Sequence, residues 1–424
     1  MPIKLADIKN KKVLLVGYDK EGHSTKKFLE KNVPSARLKI ADKKSGPGYL
    51  EQQEKYDLAI RTPGARKELI TIPHTTATNL FFERVKGMTI GVTGTKGKST
   101  TTSLIYAILK EAGYKAHLVG NIGNPLLSEL QKSNTKKDVF VCELSSYQLD
   151  DIEYSPRISV ILNLYAEHMD YHGSVKQYWK AKANIIARAG AKDFLVYNPK
   201  INAVVKIACA ARCRTIPFVS TLPFSEDIIP LLGAHNNEDV RAAVTVANIL
   251  KVPKRHIVAA IRKFKPLPHR LENIGTFKGI TFYDDAISTT PESTMQALEA
   301  IPGVGTLILG GQNRGYDFRK LARVIKKKKI LNIVLFPDSG VAIAKAIKET
   351  GYKPNILKTT SMEEAVAFAF RRSVAGSVCL LSTASPSYSL WKNFEEKGGL
   401  FKKCVYKLGR RARASGSKSV TVNR

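Results

Sequence analysis

The chain has 424 residues, 43% hydrophobic and 25% charged. These proportions exclude a fibrous or mostly disordered protein and suit two or three domains. No apolar run approaches the roughly 20 residues of a membrane-spanning helix, and Val13–Tyr18 runs straight into Asp19, Lys20 and Glu21, unlike an export signal. Five scattered cysteines (Cys142, Cys209, Cys213, Cys379, Cys404) form no CxxC pair, so a disulfide framework or cysteine zinc site is not expected, and a cytoplasmic location is. The net charge is +32, from 68 Lys and Arg against 36 Asp and Glu. Such an excess suits either a nucleic-acid partner, through counterion release, or a solvated basic surface. No nucleic-acid-binding motif accompanies it, so the second reading is favoured. The excess has local clusters at Lys326–Lys329 and in the tail, where 409–424 lacks apolar periodicity and reads as disordered.

Along the first 85 residues, Lys12–Gly17, Leu38–Ala41 and Asp57–Ile60 read as buried strands, with a charged helix at Thr25–Lys31, the rhythm of a small parallel sheet. Gly17 and Gly22 make only a poor dinucleotide fingerprint. From Val85 a second unit opens with strand Met88–Val92 and helix Lys98–Gly113. Strands Val139–Cys142 and Ile158–Leu162 follow, then helices Val175–Arg188 and Glu238–Leu250. A third unit begins at Pro266-Leu-Pro268, with strands Thr306–Leu309, Asn332–Phe336 and Val378–Leu381. A helix is expected over Leu390–Lys397, stopped by Gly398. The expected domains are 1–85, 86–265 and 266–408, each α/β, with ligands at the carboxyl ends of strands.

The strongest local signal is Gly94-Thr95-Lys96-Gly97-Lys98-Ser99-Thr100-Thr101, between a strand and a helix. It is a compressed phosphate loop, Gly-x-x-Gly-Lys-Ser, because position 92 is Val. Backbone N–H groups and the helix N-terminus face phosphates, Lys98 reaches the β/γ-phosphates, and Ser99 can hold magnesium. Glu143 ends a strand and is a plausible oxygen ligand for a cation. In isolation such an acid is more often simply exposed, and a lone His168 more often structural. Only their shared order with Lys98 on successive strand ends reverses those odds.

This loop is similar to the ATP loop of the Mur ligases, the amide-forming enzymes of peptidoglycan precursor synthesis. Further segments resemble the D-glutamate-adding branch of that family. They are Gly120-Asn-Ile-Gly123, Glu143-Leu-Ser-Ser-Tyr-Gln-Leu149, Asn163-Leu-Tyr-Ala-Glu-His-Met-Asp170, Tyr178-Trp-Lys-Ala-Lys182, Gly233-Ala-His-Asn236, Leu267-Pro-His-Arg270, Gly310–Phe318 and Lys392-Asn-Phe-Glu-Glu396. The likeness runs in order over roughly 85–405; the first 85 residues are abbreviated.

The resemblance implies an α/β protein of three domains: a small Rossmann-like N-terminal domain for the UDP substrate, a central P-loop ATPase-like domain and a C-terminal Rossmann-like domain for the amino acid. It implies an ATP-dependent acid–D-amino-acid ligase, a cytoplasmic monomer joining D-glutamate to UDP-N-acetylmuramoyl-L-alanine through an acyl-phosphate. Two magnesium ions are implied on Ser99, Glu143, His168 and Lys182, with Lys182 carrying a CO₂-derived carbamate, which requires a neutral amine. Asn236, Arg270 and Asp285 are implied to meet ATP. Asn121, Ser145, Gln148, Thr289, Arg314, Ser387, Tyr388 and Phe394 are implied to meet substrates. Arg314 suits a carboxylate through paired hydrogen bonds. Two positions depart from the family: Asp239 stands where Asn is common, and Ile287 where Lys is common. The competing readings are a sibling or folylpolyglutamate-type ligase with another amino acid or acceptor, and a non-catalytic nucleic-acid-binding relative.

Overall fold

The computed structural model describes residues 2–165 and 167–415; side chains at 170, 234, 235 and 411–415 lie outside the description. The first sheet comprises β1 (Lys12–Val16), β2 (Arg37–Ala41), β3 (Leu58–Arg61) and β4 (His74–Thr76). They lie in the order β2-β1-β3-β4, all parallel. The second holds β5 (Met88–Thr93), β6 (Lys115–Gly120), β7 (Asp138–Glu143), β8 (Ile158–Ile161), β9 (Phe194–Tyr197) and β10 (Arg214–Pro217). Its order is β10-β9-β8-β5-β7-β6, again all parallel.

The third sheet contains β11 (Glu272–Phe277), β12 (Ile280–Asp284), β13 (Val304–Gly310), β14 (Asn332–Phe336), β15 (Asn355–Lys358) and β16 (Val378–Leu381). Its order is β11-β12-β16-β13-β14-β15, with only β11 antiparallel to its neighbour. Helices cover both faces of a parallel sheet, which is why β1, β7 and β14 are apolar runs rather than alternating ones.

By contact the chain forms two compact units: residues 1–230 with 235–264, and 231–234 with 265–424. The first two sheets thus share one unit. The side chain of Arg61, wholly buried at the end of β3, pairs with Asp151 at 2.6 Å, and Ser24 meets Ser128 at 2.7 Å. In that unit Phe81 on helix Ala77–Arg84 packs edge-on against Phe140 of β7.

Three sequence expectations are corrected. Helix Ala234–Ile249 starts four residues earlier than expected, so Asn236 sits inside its first turn rather than before it. The last helix is not Leu390–Lys397 but Phe394–Ser415, running through Gly398 and into the expected tail; 416–424 fall outside the described residues. Gly398 is not a stop but a close approach: a Cβ there would overlap the His269 ring and lie 2.6 Å from Asp284 Oδ2. Gly398→Ala is therefore expected to lose about 1–3 kcal/mol of stability by overpacking, read by denaturant melts. Third, helix Val175–Ala183 ends before Arg188, giving way to a 3₁₀ turn at Asn184–Ile186.

Candidate active site

β5 ends at Thr93 and the helix Lys98–Glu111 begins after a gap of four residues, so Gly94–Gly97 must turn sharply at the strand's carboxyl end. Gly97 takes φ 83°, and the space a side chain would need is filled by the carboxylate of Asp239. Asn163, just beyond β8, clamps the loop. Its Oδ1 accepts from Lys96 N at 2.8 Å, and its Nδ2 donates to Lys96 O at 3.1 Å. Lys96 also pairs with Glu167 at 2.6 Å.

Two lysines converge on one oxygen of this loop. Lys98 Nζ donates to the carbonyl of Gly94 at 2.9 Å and to that of Thr95 at 3.0 Å. Lys182 Nζ donates to the same Gly94 carbonyl at 2.9 Å and lies 3.5 Å from Thr93 Oγ1. Lys182 sits on the helix Val175–Ala183 with only 1% of its surface exposed, its Nζ 4.9 Å from the centre of the Tyr178 ring. Burial, and then the neighbouring charge of Lys98, hold its pKa well below the ordinary lysine value.

Glu143 ends β7 beside the loop, since Val92 of β5 and Gly120 of β6 flank it in register. It is 1% exposed; Oε1 accepts from Asn121 Nδ2 at 2.9 Å, while Oε2 is buried without a partner among the described residues. A buried carboxylate oxygen left unbonded is costly unless a cation or donor arrives, so the residues fit a divalent ion. Asn121, expected at the substrate, orients Glu143. Ser145 and Gln148 are engaged in a capping box at the start of Ser146–Leu149. His168, at φ 57°, meets Tyr147 OH through Nδ1 at 3.0 Å, and its ring lies 5.9 Å from that of Tyr178. Lys98, Glu143, His168 and Lys182 thus fall around one strand end, with Ser99 and Thr100 in the helix's first turn. Sequence reasoning did not single out Tyr178, Asn163 or Glu167, although all three lie inside the motifs that carried it.

In the other unit, Arg270 lies between two residues of positive φ, His269 and Leu271, and its Nε is buried without a partner among the described residues. It faces Asp285, whose carboxyl is pushed up to about 6 by burial, against the pull of Ser288, Ser382 and Arg270. Beneath them Lys397, wholly buried, donates to Thr383 Oγ1 at 2.6 Å and faces Asp284 and Asp285. Asp284 also holds His269 Nδ1 at 2.6 Å. Burial lowers the Lys397 pKa to about 7. Because an unfolded lysine keeps its proton to higher pH, the unfolded chain binds more protons between about 7 and 10. Stability should rise with pH across that window, and Lys397→Met should flatten the rise, as read by melts across the range.

Ser387 Oγ is likewise buried and unpartnered among the described residues, whereas Tyr388 is 61% exposed. Phe394 packs into the core near Trp391 and lies edge-on to His269 at 6.0 Å. Arg314 is exposed, touching Gln312 Oε1 at 3.2 Å, and Thr289 is half-buried. Asn236 is buried in its helix. Ile287, where Lys is common in the family, offers its backbone N–H to His269 O.

A parallel α/β scaffold with a phosphate loop, a buried half-bonded carboxylate and a buried lysine defines a nucleotide-binding protein built for phosphoryl chemistry. Residues 92–227 match the Mur ligase middle domain and 269–385 the Mur ligase glutamate ligase domain. The chain is 33% identical to the UDP-N-acetylmuramoylalanine–D-glutamate ligase of Pelotomaculum thermopropionicum, over 95% of this chain and 99% of that one. With the ligase of the same name from Symbiobacterium thermophilum the identity is 32%, over 91% of each. Among solved structures, the UDP-N-acetylmuramate–alanine ligase of Thermotoga maritima shares the fold at TM-score 0.62 and 17% identity, covering 96% of this chain and all of that one. The chain belongs to the Mur ligase family. Among the described residues no helix is long and apolar enough to cross a membrane.

Proposed function

We propose that the protein uses ATP to join D-glutamate to the lactoyl-alanyl carboxylate of UDP-N-acetylmuramoyl-L-alanine. The observation that carries it is the pair of lysines on the Gly94 carbonyl beside the unpartnered Glu143 oxygen. The names of the near-full-length relatives supply the substrates. The substrate carboxylate attacks the γ-phosphorus, ADP leaves, and an acyl-phosphate results. The amine of D-glutamate then attacks the acyl carbon, loses a proton, and phosphate departs as the amide forms.

The chain's residues act on charge rather than as nucleophiles toward substrate. The loop N–H groups and Lys98 hold the β- and γ-phosphates, which requires Lys98 to leave its two loop carbonyls. Magnesium, held by Ser99, Glu143, His168 and a carbamate on Lys182, would neutralise charge building on the transferring phosphoryl group. Lys182, whose pKa burial and then Lys98 hold well below the ordinary lysine value, can as a neutral amine bond its nitrogen to the carbon of CO₂ and release a proton, giving the carbamate anion. Arg270 and Asp285 would serve ATP; Arg314, Ser387 and Thr289 would serve the two carboxylates of D-glutamate, with Phe394 packing the pocket. ADP release is expected only with both substrates present, and with D- over L-glutamate in an amino-acid panel. Equal ADP release with either substrate omitted would overturn the reading.

A further inference from the structure

The positive charge is not evenly spread. Residues 319–358 carry eleven Lys and Arg (Arg319, Lys320, Arg323, Lys326–Lys329, Lys345, Lys348, Lys353 and Lys358) against two acids, Asp338 and Glu349. All eleven basic side chains are exposed. The fold gathers them at one end of the third sheet: the helices Arg319–Lys327 and Gly340–Glu349, the turn after the first, and the edge strand β15. Helix Arg319–Lys327 buries Leu321, Ala322 and Ile325 and turns its basic residues outward. Few of these charges are neutralised nearby. Arg319 pairs with Asp317 and Lys328 with Glu299.

Lysines on an edge strand guard against strand addition, which accounts for Lys358 but not for Lys353, two residues before β15, or for those on the helices. Three exposed aliphatic side chains fall within the same stretch of chain: Leu331 is 55% exposed, Val341 73% and Ile356 40%. A groove of about 640 Å³ there is lined by Ile347, Ile356 and Tyr352 together with Lys348, Lys353 and Lys358. Single-stranded nucleic acid would call for exposed aromatic platforms, and among the described residues no exposed aromatic lies within 319–358. A duplex backbone would answer the lysines but leave the aliphatic side chains facing water. An anionic lipid surface satisfies both: its headgroups attract lysines and its interface accepts small apolar side chains.

We propose that this face, helices Arg319–Lys327 and Gly340–Glu349 with β15, docks on anionic lipid bilayers. The intact protein is expected to co-sediment with vesicles containing about 30 mol% phosphatidylglycerol, to ignore pure phosphatidylcholine vesicles, and to detach as salt rises. The triple variant Lys327→Glu/Lys348→Glu/Lys353→Glu should weaken vesicle binding by at least roughly 100-fold, taking the loss of each lysine near the surface at its usual worth, with repulsion of the new carboxylates adding to it. A charge-matched control, Lys136→Glu/Lys137→Glu/Lys206→Glu, reverses three exposed lysines in the other unit and should keep most of the binding. Both variants should melt and release ADP like the parent. Absence of vesicle binding, an equal fall in patch and control variants, or displacement of vesicles by a labelled RNA or DNA duplex that binds more tightly would each overturn the proposal.

Discussion

Replacing Lys182 with Met is expected to cut substrate-dependent ADP release by roughly 10³-fold while the protein melts no earlier than the parent. The two readouts diverge because the lysine nitrogen serves chemistry at a cost to the fold. It is 1% exposed, shares its carbonyl acceptor with Lys98, and among the described residues has no carboxylate within salt-bridge reach. Met keeps nearly the same volume and length, so packing against Tyr178 survives and a desolvated amine disappears. The activity loss should appear in kcat rather than in the KM for ATP, because Lys98 and the loop still hold the phosphates. Steady-state kinetics and a thermal melt on the same preparation decide it. Activity within tenfold of the parent would show that the lysine is only a buried strut.

The second large effect concerns stability. Asp151→Ala should cost about 3–5 kcal/mol, because it leaves Arg61 charged and buried without its counter-ion. Arg61 Nη2 and Nε donate to the two Asp151 oxygens at 2.6 and 3.2 Å, and its remaining donors reach Ala65 O, Tyr147 O and Tyr171 OH. His74 lies 3.3 Å from Asp151 on its other side. Burial alone would raise the Asp151 pKa, yet His74 and Arg61 hold it lowered. That carboxylate therefore contributes stability above its unfolded pKa, and the contribution fades as pH falls through the lower folded value. Denaturant melts of the parent and the variant at neutral pH and at about pH 2.5, well under the ordinary aspartate value, check both points: the gap should narrow in acid. Tyr147 and Tyr171 join this network to His168, so the same variant should also lower kcat, through displacement of the histidine.

Parallel strands and the phosphate loop were legible because their signals are local. β14 and β16 match their expected bounds, since a strand covered on both faces must be an unbroken apolar run. Strands β4, β6, β9, β10, β11, β12 and β15 were not anticipated. Two of these, β10 and β15, are short and exposed edges, with pairing rather than apolar patterning to define them. Gly398 misled for a related reason. A glycine in a chain can mean a stop or a contact, and only the nearness of His269 and Asp284, more than a hundred residues away, says which. Lys397, one residue before it, read as part of a polar helix end, yet it is wholly buried on Asp284 and Asp285.

Residue order by itself determined the α/β class, the phosphate turn and which side chains could bear charge at strand ends, because strand periodicity and loop chemistry act over a few neighbours. Tertiary structure alone decided that Lys98 and Lys182 share one carbonyl, that Asn121 braces Glu143, and that Ser145 and Gln148 cap a helix. Those outcomes depend on burial and on which strand lies beside which, and both are properties of the assembled sheets that no short stretch of chain contains.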